Sequence, residues 1–294
     1  MDMIYWDHYY NIIVLTNLLI VVALFASLRL FSGMISHISA RRELLEKDNP
    51  AFGISLAGAA LGITIMVSGL IYGHYGQARI ESISMVAVLG AVGILLMALT
   101  RLIFDKITMR EISLRDEIVK GNIAVAIADA GNVLAAAIII RAVMIWSSVF
   151  SVESFLTLFS GYAISQILLT VLTLLSMAAF ARLNKGHRVQ DHLSQGNIAL
   201  ALRFSGQKIG MAFAIAAAAH VVVYEVYDLA TIAVAWVCVS LVAVAVWAVL
   251  AQIAERLILF RINGKKEVLE QRNIALGIFH AAIFIAIGMM IFSL

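Results

Sequence analysis

Gly121-Asn122-Ile123-Ala124-Val125-Ala126-Ile127-Ala128-Asp129-Ala130-Gly131-Asn132 opens a long apolar run, and its frame stands at three other places in the chain. Asn49-Pro50-Ala51, Asn197-Ile198-Ala199 and Asn273-Ile274-Ala275 each begin another such run, and the four asparagines are 73, 75 and 76 residues apart. A near-constant step of that size marks a repeat, and the chain reads as four tandem copies. Counted from each Asn as zero, position two is Ala51, Ala124, Ala199 and Ala275. Positions nine and thirteen are small throughout: Gly58 and Gly62, Gly131 and Ala135, Gly206 and Gly210, Ala282 and Ala286. Such small-xxx-small steps let helix backbones approach closely in lipid, where apolar side chains gain nothing by leaving the solvent. Asn is a good N-cap and Pro50 suits the first helical position, so Asn49, Asn122, Asn197 and Asn273 are read as caps where helices start.

The composition fits that reading. Hydrophobic residues make up 63% of the 294, charged residues 13%, and there is a single Pro. Those values exclude a soluble globular domain and predict an integral membrane protein. The formal net charge of +3 is too small for a nucleic-acid surface, and one cysteine, Cys238, excludes an intrachain disulfide or a thiolate metal cluster. The N-terminal stretch through Asp7 lacks the basic region of a cleaved signal, so the first apolar segment is expected to remain as a span.

Runs of roughly 20 apolar residues cross a bilayer as helices. Eight are predicted, near 11–31, 50–73, 83–104, 122–147, 155–181, 198–224, 229–254 and 273–293. The fold class is therefore an all-α membrane protein of eight transmembrane helices, arranged as four parallel tandem helical hairpins in which the Asn frame always starts the second helix. Within each hairpin lies a charged connector, and these four connectors hold 17 of the 21 Lys and Arg residues. By the positive-inside rule they are cytoplasmic and both termini are periplasmic, in a bacterial inner membrane. Tyr5, Trp6, Tyr9 and Tyr10 suit an outer aromatic belt. Copies one and three share Gly-xxx-Gly, whereas copies two and four carry a titratable group at position seven, Asp129 and His280. A duplicated four-span unit accounts for this, with halves at 1–150 and 151–294.

The recurring Asn-x-Ala opening after a charged connector, with Ala57-Gly58, Ala130-Gly131 and Ser205-Gly206 behind it, resembles the domain-of-unknown-function 350 family, the YjfL-like bacterial inner-membrane proteins. Copy four departs from the motif at Ala281-Ala282. The resemblance implies a multi-pass inner-membrane protein without assigned chemistry and hints at partners in an envelope-stress system.

Ionisable or strongly polar side chains inside a span are costly and are functional candidates by default. Here they are Asp129, Asn132, Arg203, Gln207, Lys208 and His280. At about 100° per residue, positions zero, seven, ten and eleven share a helix face opposite the small residues, forming a polar stripe with Arg203 at its edge. Asp129 is expected to pair with Arg203 or Lys208. Two functions compete for the stripe: a channel or transporter for a small ion or polar solute, or a membrane-embedded binding or scaffold component that meets a cytosolic protein through its mixed-charge connectors. Both have the lipid bilayer as a partner and allow a homo-oligomer. Arg141 and His220 near span ends read as interfacial groups. His74, His187 and His192 lack a metal-ligand spacing, so no metal is expected. With no phosphate loop, His-Glu-x-x-His or Gly-x-Ser-x-Gly in the sequence, and connectors too short to bury a core, neither an enzyme nor a cofactor is expected.

Overall fold

The computed structural model describes residues 8–27, 40–73, 79–145, 151–222 and 229–294. The aromatic belt at Tyr5, Trp6, Tyr9 and Tyr10 and the loop residue His74 lie outside the described residues and side chains. All regular structure among the described residues is helical. The chain runs α1 (His8–Leu24), α2 (Pro50–Gly73), α3 (Arg79–Ile103), α4 (Leu114–Val119), α5 (Ile123–Met144) and α6 (Val152–Leu183), followed by α7 (Val189–Ser194), α8 (Ile198–Ala216), α9 (Ala218–Val221), α10 (Leu229–Ile258) and α11 (Ile274–Ser293). Short π-helical turns stand at Arg42–Glu46, Phe104–Thr108 and Lys266–Glu270.

Seven helices among the described residues are long and apolar enough to cross a membrane. They correspond to the second through eighth predicted spans. The first predicted span, 11–31, is represented by the 17-residue α1, too short to count among the seven, and residues 28–39 lie outside the described part. The predicted ends are also too early for α6 and α10, which continue helically to Leu183 and Ile258. The third predicted span, formed by α3, likewise runs on through a π turn to Thr108, a continuation with consequences for the site below.

Each of the four asparagines caps the helix it precedes. The Asn49 Oδ1 accepts from Phe52 N, Asn122 Oδ1 from Ala124 N and Val125 N, Asn197 Oδ1 from Leu200 N and Asn273 Oδ1 from Leu276 N, all at 3.0–3.3 Å. Each bond satisfies an amide that the first turn would otherwise leave bare. The residue just before each Asn has a left-handed backbone: Asp48, Gly121, Gly196 and Arg272, with φ of 48°, 89°, 75° and 53°. The same asparagines also stitch neighbouring connectors together. Nδ2 donates from Asn49 to the Ile118 carbonyl, from Asn122 to that of Leu193 and from Asn197 to that of Val268, each at 3.0 Å. Asn273, the last of the four, instead donates to Glu267 Oε2 at 2.9 Å. Because the connectors touch one another, α2, α5, α8 and α11 all start at one end of the molecule and run side by side.

That row is zipped by the small residues. A Cβ placed on Gly58 would lie 2.5 Å from the Ala130 Cβ, one on Gly131 2.5 Å from the Ser205 Cβ, and one on Gly206 2.3 Å from the Ala281 Cα. Position nine of one helix thus meets position eight of the next, three times in succession. At each crossing one partner is glycine and the other small, so that the backbones come close, the packing mode expected where helices associate in lipid. α5 and α8 occupy the middle of the row and are the most buried spans, whereas α6, α10 and α11 show most of their surface outward. Outward residues such as Ile167, Val234 and Val242 are large and apolar, as contact with hydrocarbon requires.

Candidate functional site

Two apolar layers leave a polar level between them. Phe52, Phe104, Met109, Leu114, Ile118, Leu200 and Phe204 fill the layer at the connector end, while Met66, Leu89, Met97, Val133 and Ile140 belong to the deeper one. Positions six and seven of the frame fall where one gives way to the other, about 9 to 11 Å along the helix at 1.5 Å per residue.

At this level Asp129 of α5 is fully buried. Arg101, in the last turn of α3, grips it with a two-pronged fork: Nε donates to Oδ1 at 2.9 Å and Nη2 to Oδ2 at 2.6 Å. Ser55 of α2 donates its hydroxyl to Oδ2 at 2.5 Å and accepts from Arg101 Nη2 at 3.1 Å. Bidentate, charge-assisted bonds of this kind are among the strongest a protein makes, and here they tie three helices together. The expected pairing of Asp129 with Arg203 or Lys208 is thereby corrected. Arg101 reads in the sequence as a connector residue, but the helical continuation through Phe104–Thr108 carries it inside the span, where it is only 6% exposed.

A second cluster is built from α8, α10 and α11. Arg203 Nη1 lies 2.6 Å from His280 Nδ1, and Nη2 lies 3.3 and 3.2 Å from the two oxygens of Glu255. A guanidinium can only donate, so the His280 Nδ1 accepts and the ring proton sits on Nε2. That Nε2 is buried and has no hydrogen-bond partner. Ser55 and Arg203 both occupy position six of the frame, Asp129 and His280 both occupy position seven, and Arg101 and Glu255 both come from the last turn of the preceding long helix. The two clusters are therefore polar triads at matching frame positions, with acid and base exchanged.

Their surroundings differ. Around the first triad the connector segment 104–121 contributes buried Phe104, Met109, Leu114 and Ile118. Around the second, the shorter segment 259–272 borders a cavity of about 750 Å³ that reaches from Arg261, Gly264 and Lys265 down to Arg203, Glu255 and His280. Arg203 is 32% exposed there, against 8% for the Arg101 side chain.

The remaining candidates of the predicted stripe do not converge on one channel. Lys208 is buried on α8 with its ammonium 4.1 Å from the centre of the Phe104 ring, a cation–π contact. Gln207 donates to Ser176 of α6 at 3.1 Å. Asn132 is fully buried and neither atom of its amide finds a partner. On α5 both the stripe and the small-residue seam face protein: Asp129 meets α2 and α3 while Gly131 meets α8. Gly58 and Gly210 make backbone-close contacts with neighbours, Gly62 lies against the side chains of Met97 and Val133, and Ala135 is buried, but Ala282 and Ala286 lie on an exposed face of α11 that no described helix covers. Arg141 is held within the protein, donating to Ser68 Oγ at 3.0 Å, and His220 packs its ring on Phe292.

Sequence reasoning missed a polar seam between α3 and α6. The Thr100 hydroxyl lies 2.8 Å from Tyr162 OH and donates to Gln166 Oε1 at 2.9 Å, and Gln166 Nε2 donates onward to Thr170 Oγ1 at 3.1 Å. The signal was the four-residue spacing of Tyr162, Gln166 and Thr170, one helical face of hydrogen-bonding groups in an otherwise apolar run. At the connector level, Glu43 is buried beneath Lys47 and Asn49. Burial alone would push its carboxyl up, but the hydrogen bonds from those two residues, with the charges of Lys47 and Arg42, outweigh it and hold the carboxyl below the usual range.

A family profile described as Domain of Unknown Function (DUF350) matches the chain over residues 4–144, 77–171 and 151–294. No curated protein and no solved structure matches it.

Proposed function

The chain belongs to the DUF350 family, and from that premise we propose that it is an eight-span bacterial inner-membrane protein that passes a small ion or polar solute through the interior of its second half. In this reading the first apolar segment completes the eighth span, and four parallel hairpins place their connectors in the cytoplasm and both termini in the periplasm. The charge asymmetry supports the orientation. The connector-to-connector bonds of the asparagines support the parallel arrangement.

The observation that carries the permeation reading is the cavity that descends from the connectors to His280, a side chain 2% exposed whose Nε2–H lacks an acceptor. A way in from the cytoplasmic side and a buried polar group at its floor are what a solute needs before it can be handed across. The first-half triad serves as the fixed counterpart, sealed by its own carboxylate. Docking of a cytosolic protein has less support, because neighbouring connectors bond to one another. Arg188 pairs with Glu111, Gln190 donates to the Thr108 carbonyl, and Arg272 donates to that of Gln195.

Liposomes containing the purified protein provide the test, with efflux of protons, potassium, chloride, phosphate, acetate and hexanoate measured against empty vesicles. At least one of these is expected to pass faster with protein, and Arg203→Gln is expected to return that flux to background while Lys106→Gln, on an exposed connector side chain, leaves it intact. A panel in which every species leaks no faster than from empty vesicles removes the permeation reading.

A further inference from the structure

The geometry points to an amphiphilic anion as the occupant of the second-half cavity: a carboxylate or phosphate head group at Arg203 and His280, with a short apolar tail along the walls above them. This rests on the permeation reading for its place in a transport cycle, although binding itself requires no flux.

Three observations converge. His280 presents a buried N–H with nothing to donate to. The tautomer is fixed by Arg203, so the proton cannot move to the other nitrogen without breaking the 2.6 Å contact. A buried donor left unmade is costly, and Gly264, which lies against the ring, brings no side chain to it: a Cβ there would lie 3.7 Å from Nε2. The missing partner is an acceptor.

The charge around the cavity has a definite sign. Arg203, Arg256, Arg261 and Lys265 line it against a single carboxylate, Glu255. Glu255 engages one end of the Arg203 guanidinium, at 3.2–3.3 Å, in place of the two-pronged grip that Asp129 receives in the first half. A guanidinium with five N–H donors is not saturated by that arrangement. Where the first half supplies its own tightly bound carboxylate, the second has room and spare donors for an anionic group from outside.

The remaining wall is apolar. Phe180, Leu200, Leu259, Phe260 and Leu269 line the same cavity, and its volume of about 750 Å³ is that of a small-molecule site. An inorganic anion would leave those walls against water, whereas a tail of several methylenes would cover them, each buried methylene contributing roughly 0.8 kcal/mol. A cationic or neutral head would meet four positive charges, so the class is an anion with a tail.

Two sources share this chemistry, a lipid of the surrounding leaflet and a soluble acyl carboxylate or phosphate. They are separated by measuring the melting temperature of the full chain in a neutral maltoside detergent with decanoate, decyl phosphate, inorganic phosphate or decyltrimethylammonium, alongside native mass spectrometry of the protein as extracted. Decanoate and decyl phosphate are expected to raise the melting temperature saturably, with inorganic phosphate much weaker and the cation without effect. Arg203→Gln, and separately the surface variant Arg261→Gln that leaves the helices untouched, are each expected to weaken the response at least about tenfold, the equivalent of 1.4 kcal/mol. A co-extracted anionic phospholipid that disappears in Arg261→Gln assigns the site to lipid, and binding of decanoate to a lipid-free protein assigns it to a soluble anion. The inference is overturned if no anionic amphiphile gives a saturable shift, if the cation shifts it equally, or if both variants respond like the wild type. Saturable binding without flux would sink the permeation reading alone, and flux of a small ion without such binding would sink this inference alone.

Discussion

Arg101→Met is expected to destabilise the protein by about 3–5 kcal/mol, the cost of stripping one partner from a buried ion pair. Methionine fits the space of the arginine stem, so packing is nearly conserved and the loss is electrostatic. Asp129 would keep one hydroxyl donor, from Ser55, in place of the three bonds it now accepts. Against a total stability of about 5–15 kcal/mol for ordinary domains, that loss is large enough to lower the yield of folded protein in the membrane. The double variant Arg101→Met with Asp129→Leu removes both charges and is expected to regain most of the melting temperature, since replacing a whole buried pair by apolar groups is often neutral or stabilising. The check is thermal unfolding in detergent of both variants beside the wild type. A single variant that melts with the wild type, or a double variant no better than the single, would mean the pair does not hold α2, α3 and α5 together.

The second large effect is steric and depends on place in the row. Gly206→Val puts a branched side chain where a Cβ would already stand 2.3 Å from the Ala281 Cα, so α8 and α11 must move apart along their whole contact. Overpacking of a fitted core costs about 1–3 kcal/mol, and here the obstacle is backbone, which has no rotamer to swing away. Ala282→Val makes the same kind of change at the same frame position on α11, where the face is open, and is expected to leave the melting temperature close to the wild type. Equal losses in the two variants would show that Ala282 is covered, and equal indifference would show that the Gly206 crossing is loose.

These two sites also mark what could and could not be read from the sequence. Seven of the eight spans were legible because twenty apolar residues have few other fates, and the caps were legible because Asn before an apolar run satisfies amides that nothing else nearby can. That small residues at position nine mediate contact was readable too. Their partner at position eight of the next helix was not, since it depends on the rotation of one helix against another. Arg101 was misread for a physical reason: a charge near the end of an apolar run is ordinarily solvated, whereas here the helix runs on to Thr108 and the side chain turns inward to Asp129 and Ser55. Lys208 looked like the natural partner for Asp129 by depth alone, but its ammonium is turned onto Phe104. The cavity beside His280 had no signature in local sequence. It lies where segment 259–272, shorter than its counterpart 104–121, borders open space instead of filling it.

Everything proposed for the molecule depends on the four connectors sharing one side of the membrane. In a Cys238→Ala background, single cysteines at Lys47, Lys106, Lys185 and Lys266, all on described connector segments, can be challenged with a membrane-impermeant maleimide in right-side-out spheroplasts and again after permeabilisation. The account predicts that all four stay unlabelled until the membrane is opened and then all react. Labelling of any one of them in sealed spheroplasts while the others stay protected would contradict it.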